Sequence, residues 1–292
     1  MTNKQYRVYI WIVTLLIEHP GITMDEIQKR WLKERQLSEG KLLHRRSFIR
    51  YCQEVKQLWG IEIVCNRHTD YCYFIRNEEI LNGDDIRNWM LTTLCVGMQV
   101  EDCLELNNRI VMEYVPSGQK WLLPLCRAMK ENSRVEVTYK GYGCEKSWQA
   151  TMSPYCVRLY QRRWYVLGKL DNEKLYTLSL DRVQQLRLTE ESFVMDPNFD
   201  TKEYFKNMYG IVRAENSEMQ HVVLRAFGDE SCYLRDLPIH HSQREVAQGE
   251  GYVDFELYLH ITKELSGFIL SRGKRLKVIS PKSYAKEIAA MK

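Results

Sequence analysis

A stretch around position 50 carries side chains whose types and spacing suit contact with nucleic-acid bases. At about 100° per residue, Arg46, Arg50 and Gln53 fall on one face of a helix. Arginine and glutamine side chains can bond two atoms of a guanine or adenine edge at once. The stretch therefore predicts a helix whose exposed face could enter a major groove.

The opposite face of the same helix is apolar. Phe48, Cys52, Val55 and Trp59 recur at helical spacing, which predicts that they pack into a core. His44 stands at the expected N-cap, where Ser, Thr or Asp would be favoured. Such a helix could also carry its polar residues only as a solvated surface, so the neighbouring elements help to decide between the two interpretations.

A two-stranded hairpin is predicted directly after this helix. Apolar residues alternate over 61–65 and again over 71–75, on either side of a turn-forming sequence at 66–70. Arg67 and His68 lie at the tip of the hairpin. We expect these two side chains to contact the sugar-phosphate backbone, which orients a protein on a duplex.

Two helical patterns precede the basic helix. The first covers residues 6–18 and ends at Pro20-Gly21, and the second begins at Thr23-Met24-Asp25-Glu26, which is typical of a capped start. The order of these elements resembles a winged helix-turn-helix domain over about residues 5–76, within a predicted domain of residues 1–76. The resemblance implies a homodimer that binds a double-stranded DNA operator. We predict DNA contacts at Arg45, Arg46, Ser47, Arg50, Gln53, Arg67 and His68.

Composition is that of a globular chain large enough for two or three domains. The chain has 292 residues, 45% apolar and 27% charged, with a net charge of +4. A charge this small does not by itself imply DNA binding. With no run of about 18 apolar residues and no signal peptide, we expect a cytoplasmic protein that does not enter a membrane.

Patterns for metal sites and common enzyme classes are missing from the sequence. The nine cysteines include no Cys-x-x-Cys pair, and the adjacent His240-His241 has no companion ligand at a suitable spacing. There is no Gly-rich phosphate loop and no Gly-x-Ser-x-Gly. We therefore expect no metal, no cofactor and no enzymatic activity.

A change of periodicity divides the middle of the chain. Residues 77–119 are predicted to form a helical linker, whose apolar side could pack within the subunit or against a dimer partner, and Pro116-Ser117-Gly118 ends it. A helix follows, and from Arg134 the apolar period becomes two over several short strands. One helix with short antiparallel strands favours a small, strongly bent sheet or open barrel over residues 120–196.

Three separated motifs in this region resemble the WYL domain: Ser153-Pro154-Tyr155, the segment 161–168 with Trp164-Tyr165-Val166, and the segment 175–183 with Leu180-Asp181-Arg182-Val183. The resemblance implies an Sm-like β-barrel that senses an effector, plausibly a nucleotide or oligonucleotide. Two positions depart from the family pattern. Val166 replaces the Leu that names the family, and Tyr176 stands where many relatives have Arg, which implies a different or weaker-binding anionic effector.

Guanidinium and phenol groups gather around these motifs. This combination suits phosphate contact together with base stacking. Alternation along a strand places Arg163 and Tyr165 on one face and Trp164 and Val166 on the other. The arginines could instead be surface ion-pair partners, and Asp181 could form a structural salt bridge. We predict effector contacts at Tyr155, Arg158, Arg163, Tyr165, Tyr176 and Arg182.

The last part of the chain, residues 204–292, alternates strand and helix patterns and predicts a small α+β domain. It resembles the C-terminal extension (WCX) that often follows a WYL domain, which implies a role in dimer contact and control of the effector site. His240-His241 is predicted to lie in a polar loop.

Together these features predict an α+β multidomain protein with an N-terminal winged helix-turn-helix, a helical linker, an Sm-like barrel and an α+β extension. The predicted function is a bacterial transcriptional regulator, a repressor rather than an activator, controlled by a small anionic or nucleic-acid effector. An RNA- or single-strand-binding protein that uses the barrel as its main site stays open as the alternative.

Overall fold

The computed structural model describes residues 3–66, 71–82, 86–101, 109, 111, 115–213 and 217–291. The fold is a mixture of helices and antiparallel sheets. It divides into two compact units, residues 1–113 and residues 114–292, each with its own core. No helix in the described ranges combines the length and apolar character needed to span a bilayer.

The first unit contains helices followed by a hairpin, in the predicted order. Its elements are α1 (Asn3–Glu18), α2 (Met24–Lys33), α3 (Arg35–Ser38), α4 (Arg45–Trp59), β1 (Ile63–Asn66), β2 (Cys72–Ile75), a 3-10 turn (Glu78–Asn82) and α5 (Ile86–Glu101). Thr23 and Glu26 form the capping box at the start of α2, as predicted. His44 precedes helix α4 as its N-cap residue but makes no side-chain capping bond, and Gly60 follows the helix as its C-cap in the left-handed conformation.

The hairpin gains a third backbone partner that sequence periodicity did not reveal. Ile22, just before α2, bridges Tyr73 of β2: the Tyr73 N–H donates to the Ile22 carbonyl at 2.8 Å, and the Gly21 N–H donates to the Tyr73 carbonyl at 3.1 Å. Phe48 of α4 packs edge-on against Tyr73, with ring centroids 5.0 Å apart. These contacts fix the base of the hairpin to the helices.

The predicted linker helix is seen in part as α5. Leu91 is buried, and the Cys95 thiol lies 3.9 Å from the Thr14 hydroxyl of α1, so one side of α5 packs on the first helix. The other side leaves apolar residues exposed, among them Ile86, Met90 and Leu94. Most of the remaining predicted linker, including Asp84-Asp85, lies outside the described residues.

The second unit begins with a short helix and a five-stranded antiparallel sheet. Its elements are a 3-10 turn (Gln119–Trp121), α6 (Leu122–Glu131), β3 (Ser133–Tyr139), β4 (Trp148–Tyr160), β5 (Arg163–Leu170), β6 (Leu175–Ser179), a 3-10 turn (Leu180–Arg182) and β7 (Val183–Ser192). The strand order is β6-β5-β4-β3-β7. Leu125 and Ala128 of α6 cover one face of the sheet.

This sheet is curled but does not close into the predicted barrel, because β6 and β7 form its two edges and are not paired in the described region. Yet only the 3-10 turn Leu180–Arg182 connects these edges. A flat five-stranded sheet would separate its edges by about 19 Å, whereas three residues of 3-10 helix rise only about 6 Å. The sheet must therefore bend strongly, as the sequence predicted. Closing it into a barrel would require hydrogen bonds between β6 and β7.

The C-terminal half of the second unit is an α+β fold. Its elements are α7 (Thr201–Lys206), β8 (Met219–Phe227), α8 (Glu230–Asp236), β9 (Arg244–Gly249), β10 (Tyr252–His260), α9 (Lys263–Ser271), a 3-10 turn (Gly273–Arg275), β11 (Leu276–Ser280) and α10 (Lys282–Ala290). The antiparallel sheet has the order β11-β8-β10-β9, which is the β-α-β-β-α-β arrangement of ferredoxin-like folds.

A strap around residues 204–212 joins the two halves of this unit. The Thr177 hydroxyl of β6 donates to the Ile211 carbonyl at 3.2 Å. On the other side, Glu264 of α9 accepts the backbone N–H groups of Ile211 and Val212, both at 3.3 Å. The strap therefore holds the five-stranded sheet against the C-terminal half.

Candidate nucleic-acid interface and effector site

Helix α4 separates its polar and apolar sides as predicted. Phe48, Val55 and Trp59 are buried, and Cys52 is half-buried beside them. The outward side carries five exposed polar residues: Arg45, Arg46, Arg50, Gln53 and Gln57. Ser47 is half-buried on one flank of the helix. The arginine and glutamine side chains of α4 that were predicted to contact bases are thus exposed to solvent.

A groove of about 340 Å³ lies between α4 and the hairpin. Arg45, Gln53 and Lys56 line its helix side, and Glu62 and Arg76 lie on the hairpin side. Arg45 also affects the ionisation of Tyr73. Burial raises the pKa of the Tyr73 phenol, and the nearby Arg45 guanidinium opposes that rise. Arg67 and His68, predicted to contact phosphate from the hairpin tip, lie outside the described residues.

One carboxylate partly neutralises this groove. The Glu62 side chain pairs with the Lys56 ammonium at 2.7 Å and with the Arg76 guanidinium at 3.4 Å. The hydrogen bond and charge of Lys56 hold the pKa of Glu62 below its usual value, and Arg76 acts in the same direction. Glu62 is therefore ionised at neutral pH and competes with any phosphate for these two cations.

In the five-stranded sheet, strand pairing brings three predicted effector residues onto one face. Arg158 of β4 is the register partner of Tyr165 in β5, and Arg163 faces Tyr160 two positions away. The opposite face carries Trp164 and Val166, which are buried against α6. The alternation predicted from the sequence is therefore confirmed, with the arginines and tyrosines away from the core.

A compact guanidinium–tyrosine cluster forms where β5 meets the turn before β7. The Arg163 Nη1 donates to the Tyr142 hydroxyl at 3.1 Å and lies 3.7 Å from the Asp181 carboxylate. Arg182 stacks on the same Tyr142 ring, with its guanidinium carbon 4.3 Å from the ring centroid, and on Tyr139 at 5.2 Å. Asp181, which also accepts from the Ser179 hydroxyl, orients Arg163 as a structural partner.

The Arg182 Nε is buried and has no hydrogen-bond acceptor within the described part of the chain. A buried guanidinium donor without an acceptor is costly, and an anionic group is its natural partner. A cavity of about 350 Å³ adjoins this cluster, with walls formed by residues 115–120 and by Leu180, Asp181 and Val183.

Further along the same face, Arg158 stacks on Phe205 of the strap, with its guanidinium carbon 4.3 Å from the ring centroid. Tyr209 of the same strap lies near Tyr160 and affects its ionisation. Burial raises the pKa of Tyr160 to about 12, and the neighbouring Tyr209 and Glu264 act in the same direction. The face that bears the predicted effector residues is therefore in contact with the C-terminal half.

Two predicted effector residues are not part of these clusters. Tyr155 lies at a β-bulge between Pro154 and Cys156 and is buried against Phe193 and Phe199. Tyr176 pairs with Gly168 on the α6 side of the sheet, and its hydroxyl accepts from the Asn172 amide at 2.9 Å.

Sequence reasoning did not select Tyr142 or Phe205 as site residues. In the sequence, Tyr142 stands out only as part of the turn Gly141-Tyr142-Gly143, and Phe205 only as an aromatic residue at the start of the predicted C-terminal domain. The described residues hold no group of three or more His, Cys, Asp or Glu side chains placed to bind a metal ion.

Two family models match this chain in the second unit. Residues 120–188 match the WYL domain model, which covers α6 and the five-stranded sheet. The chain contains a WYL domain. Residues 218–291 match the WCX domain model, so the C-terminal half is the extension that the sequence predicted. The guanidinium–tyrosine cluster belongs to the WYL domain, and the WCX domain contacts the same sheet face through the strap.

Two of the solved structures that resemble the chain show the extent of the similarity. Proteasome accessory factor B/C (PafBC) of Arthrobacter aurescens is 16% identical with a TM-score of 0.38, and the alignment covers 98% of this chain and 45% of PafBC. A CRISPR Cas-related protein is 10% identical with a TM-score of 0.39, and the alignment covers 100% of this chain and 90% of that protein. The chain thus spans less than half the length of PafBC. Comparison with curated proteins gives no match.

Proposed function

We propose that this protein is a homodimeric transcriptional repressor whose first unit is a winged helix-turn-helix that binds duplex DNA, and whose WYL domain binds an effector. The observation that carries the proposal is the outward side of α4. Arg46, Arg50 and Gln53 are exposed opposite a buried apolar face, and the hairpin lies beside them. Side chains of these types in one row can bond purine edges in a major groove.

The proposed effector is anionic, a nucleotide or an oligonucleotide. Arg182 offers a buried donor without a protein acceptor, and Tyr142 and Tyr139 supply aromatic rings beside it. Arg163 is half-buried and already shares Tyr142 and Asp181, so a phosphate would compete with an internal pair there. Effector contact at this face would reach the WCX domain through the strap, and the difference in affinity between two arrangements would set the response.

The experiment is a duplex-binding titration of the full-length protein with the DNA upstream of its own gene. Arg46→Ala with Arg50→Ala should lower affinity by at least about thirtyfold, since each of two good base contacts contributes about 1–3 kcal/mol of discrimination. Arg127→Ala with Lys130→Ala is the matched control, because it removes two exposed charges from α6. The control should bind like the wild type.

The same titration distinguishes the rival function. Unchanged duplex binding by the Arg46/Arg50 variant would contradict the proposed role of α4. Tighter binding of single-stranded DNA or RNA than of duplex, lost on Arg163→Ala or Arg182→Ala, would favour a single-strand-binding protein that uses the WYL sheet. A reporter gene behind the bound sequence decides between repression and activation.

A further inference from the structure

The last 21 residues of the chain hold more positive charge than the whole molecule. Residues 272–292 contain seven Lys or Arg residues and one acidic residue, Glu287, which gives +6. The complete chain has 42 basic and 38 acidic residues, so residues 1–271 have 35 and 37 and a net charge of −2. The basic character of this protein therefore resides at the end of the WCX domain.

Four lysines of this segment form a strip along one edge of the WCX sheet. Lys274 precedes β11, Lys277 is on β11, and Lys282 and Lys286 are on α10; all four are exposed. β11 is an edge strand, and α10 packs against it through Tyr284 and Ile288. Lys282 and Lys286 are four residues apart on the outward ridge of α10, where such neighbours lie about 6 Å apart. We call these four residues the lysine strip.

The lysine strip is not paired with a carboxylate in the part of the chain that the structure describes. Within the described ranges, no carboxylate forms an ion pair with Lys274, Lys277, Lys282 or Lys286, whereas the nearby Arg272 and Arg275 both pair with Glu230. Four like charges along one edge repel one another, and bound phosphates would relieve that repulsion.

Other cations of the same domain behave differently. On the neighbouring strand β8, the half-buried Arg225 pairs with Asp254, and on the far edge strand β9, the exposed Arg244 pairs with Glu256. Arg235 of α8 pairs with Glu245 in the same way. Pairing with a carboxylate is thus the common state of arginines on this domain, and the lysine strip differs from them.

The chemistry around the strip selects the partner. Single-strand binders combine cations with exposed aromatic rings, but the aromatic residue of this segment, Tyr284, is 1% exposed. Helices that lie on membranes present large apolar residues beside their cations, whereas Lys282 and Lys286 share their ridge with Ala289. We propose that the lysine strip binds the phosphate backbone of duplex DNA without regard to sequence. This binding does not require α4 to read bases.

The test is a salt titration of full-length protein with a short labelled duplex of arbitrary sequence. The variant K274Q/K277Q/K282Q/K286Q should bind at least about tenfold more weakly at low salt, and its log–log salt slope should be shallower by about 2 to 4, because each phosphate contact contributes about 0.9 to the slope. The control K130Q/K140Q/K146Q/K202Q removes the same charge from exposed positions elsewhere in the second unit. The control slope should change by less than about 1.

Replacing the same four lysines with arginine should keep both affinity and slope, which separates a charge effect from damage to the fold. Equal slopes for the wild type and the glutamine variant would overturn the proposal. Wild-type binding to phosphatidylglycerol vesicles without binding to the duplex would also overturn it. Repeating the titration in the Arg46→Ala/Arg50→Ala background keeps the two proposals distinct: the strip should still account for residual duplex binding, whatever α4 does.

Discussion

The exposed arginines of α4 owe their availability to the side chains around them. Arg46 and Arg50 lie opposite Phe48 and Val55, whose burial fixes the rotation of the helix about its axis. Lys56 lies on the same helix but is already paired with Glu62. Cations on the same helix therefore differ in how readily they can bind a phosphate, because a cation that is already paired with a carboxylate must first give up that pair.

Glu62→Gln tests this point. The change would release Lys56 and Arg76 and remove a negative charge from the groove, so nonspecific duplex affinity should rise several-fold, with a salt slope steeper by about 1. Fluorescence anisotropy over a salt series measures both quantities. Glu79→Gln, which removes an exposed carboxylate outside the groove, is the control. A decrease in affinity would show that Glu62 orients these cations for DNA instead of competing for them.

His240 shows how a single buried ring can make stability depend on pH. Its ring nitrogens contact the Ser242 hydroxyl at 2.7 Å and the Lys206 carbonyl at 2.8 Å, so it ties the WCX domain to α7. Burial lowers the pKa of His240, the neighbouring His241 lowers it further, and the bond to Lys206 opposes them. The predicted polar loop therefore contains a structural histidine that is neutral in the folded protein.

Because the unfolded chain binds a proton at His240 more readily than the folded chain does, stability should fall as pH decreases below about 6.5. The stabilising contribution of neutral His240 is fully present above that pH. Thermal melting from about pH 7.5 to about pH 5.5 should show a smaller loss for His240→Gln than for the wild type. His44→Gln, an exposed site in the first unit, should melt like the wild type. Identical pH profiles for all three proteins would exclude this role.

At the scale of elements, the approach to the WYL domain depends on a close backbone contact. The Ser117 carbonyl accepts the Trp164 N–H at 3.4 Å, and the Trp121 indole N–H donates to the Val183 carbonyl at 2.9 Å. Gly118 lies between them with φ +66°, and a Cβ there would stand 2.3 Å from the Leu180 carbonyl carbon. Both the positive φ angle and the lack of space for a Cβ atom therefore favour glycine at this position.

Gly118→Ala should therefore lower the free energy of unfolding of the second unit by more than about 2 kcal/mol. Gly143→Ala is the matched control, because Gly143 has φ +71° but open space around its Cβ position. The control should cost only about 1 kcal/mol for the backbone conformation. Urea denaturation of the full chain measures both values, and equal costs would mean that the chain at residues 117–121 can move away from the turn without loss.

At the scale of the whole molecule, the two units share neither a core nor a charge distribution. The first holds the exposed α4 arginines, and the second ends in the lysine strip, while residues 1–271 together are slightly acidic. Helix α5, which lies in sequence between the hairpin and the WYL domain, exposes Ile86, Met90 and Leu94 at intervals of four residues. Such a stripe is typical of a helix that packs against another element, and we expect a second copy of the chain there.

Met90→Glu should convert a dimer of twice 34.8 kDa into monomers, because a buried unpaired carboxylate would be costly at the interface. Size-exclusion chromatography with light scattering measures the mass. Thr92→Glu adds the same charge to an exposed position on the other side of α5, about 200° around the helix from Met90, and should leave the dimer intact. A Met90→Glu protein that stays dimeric but melts at a lower temperature would place the stripe inside the subunit.

Within the helices and strands that periodicity revealed, the sequence was enough to predict which side chains face the core and which face away from it. A period of 3.6 predicted the buried and exposed sides of α4, and a period of two predicted that Trp164 and Val166 oppose Arg163 and Tyr165 in β5. The motifs also identified the WYL and WCX domains. These features follow from local backbone geometry, which neighbouring residues along the chain are enough to fix.

Local patterns did not reveal which residues far apart in the sequence contact one another in the folded protein. The contact of Arg163 with Tyr142, the separation of Tyr176 from both, and the bridge between Ile22 and Tyr73 depend on strand registers and turns between segments far apart in sequence. Periodicity also did not reveal the bulge at Tyr155 or the strands β7 and β9. These features likewise depend on pairing with other strands. A strand's period fixes its two faces, but pairing with another strand fixes its neighbours, and that choice minimises the free energy of the whole fold.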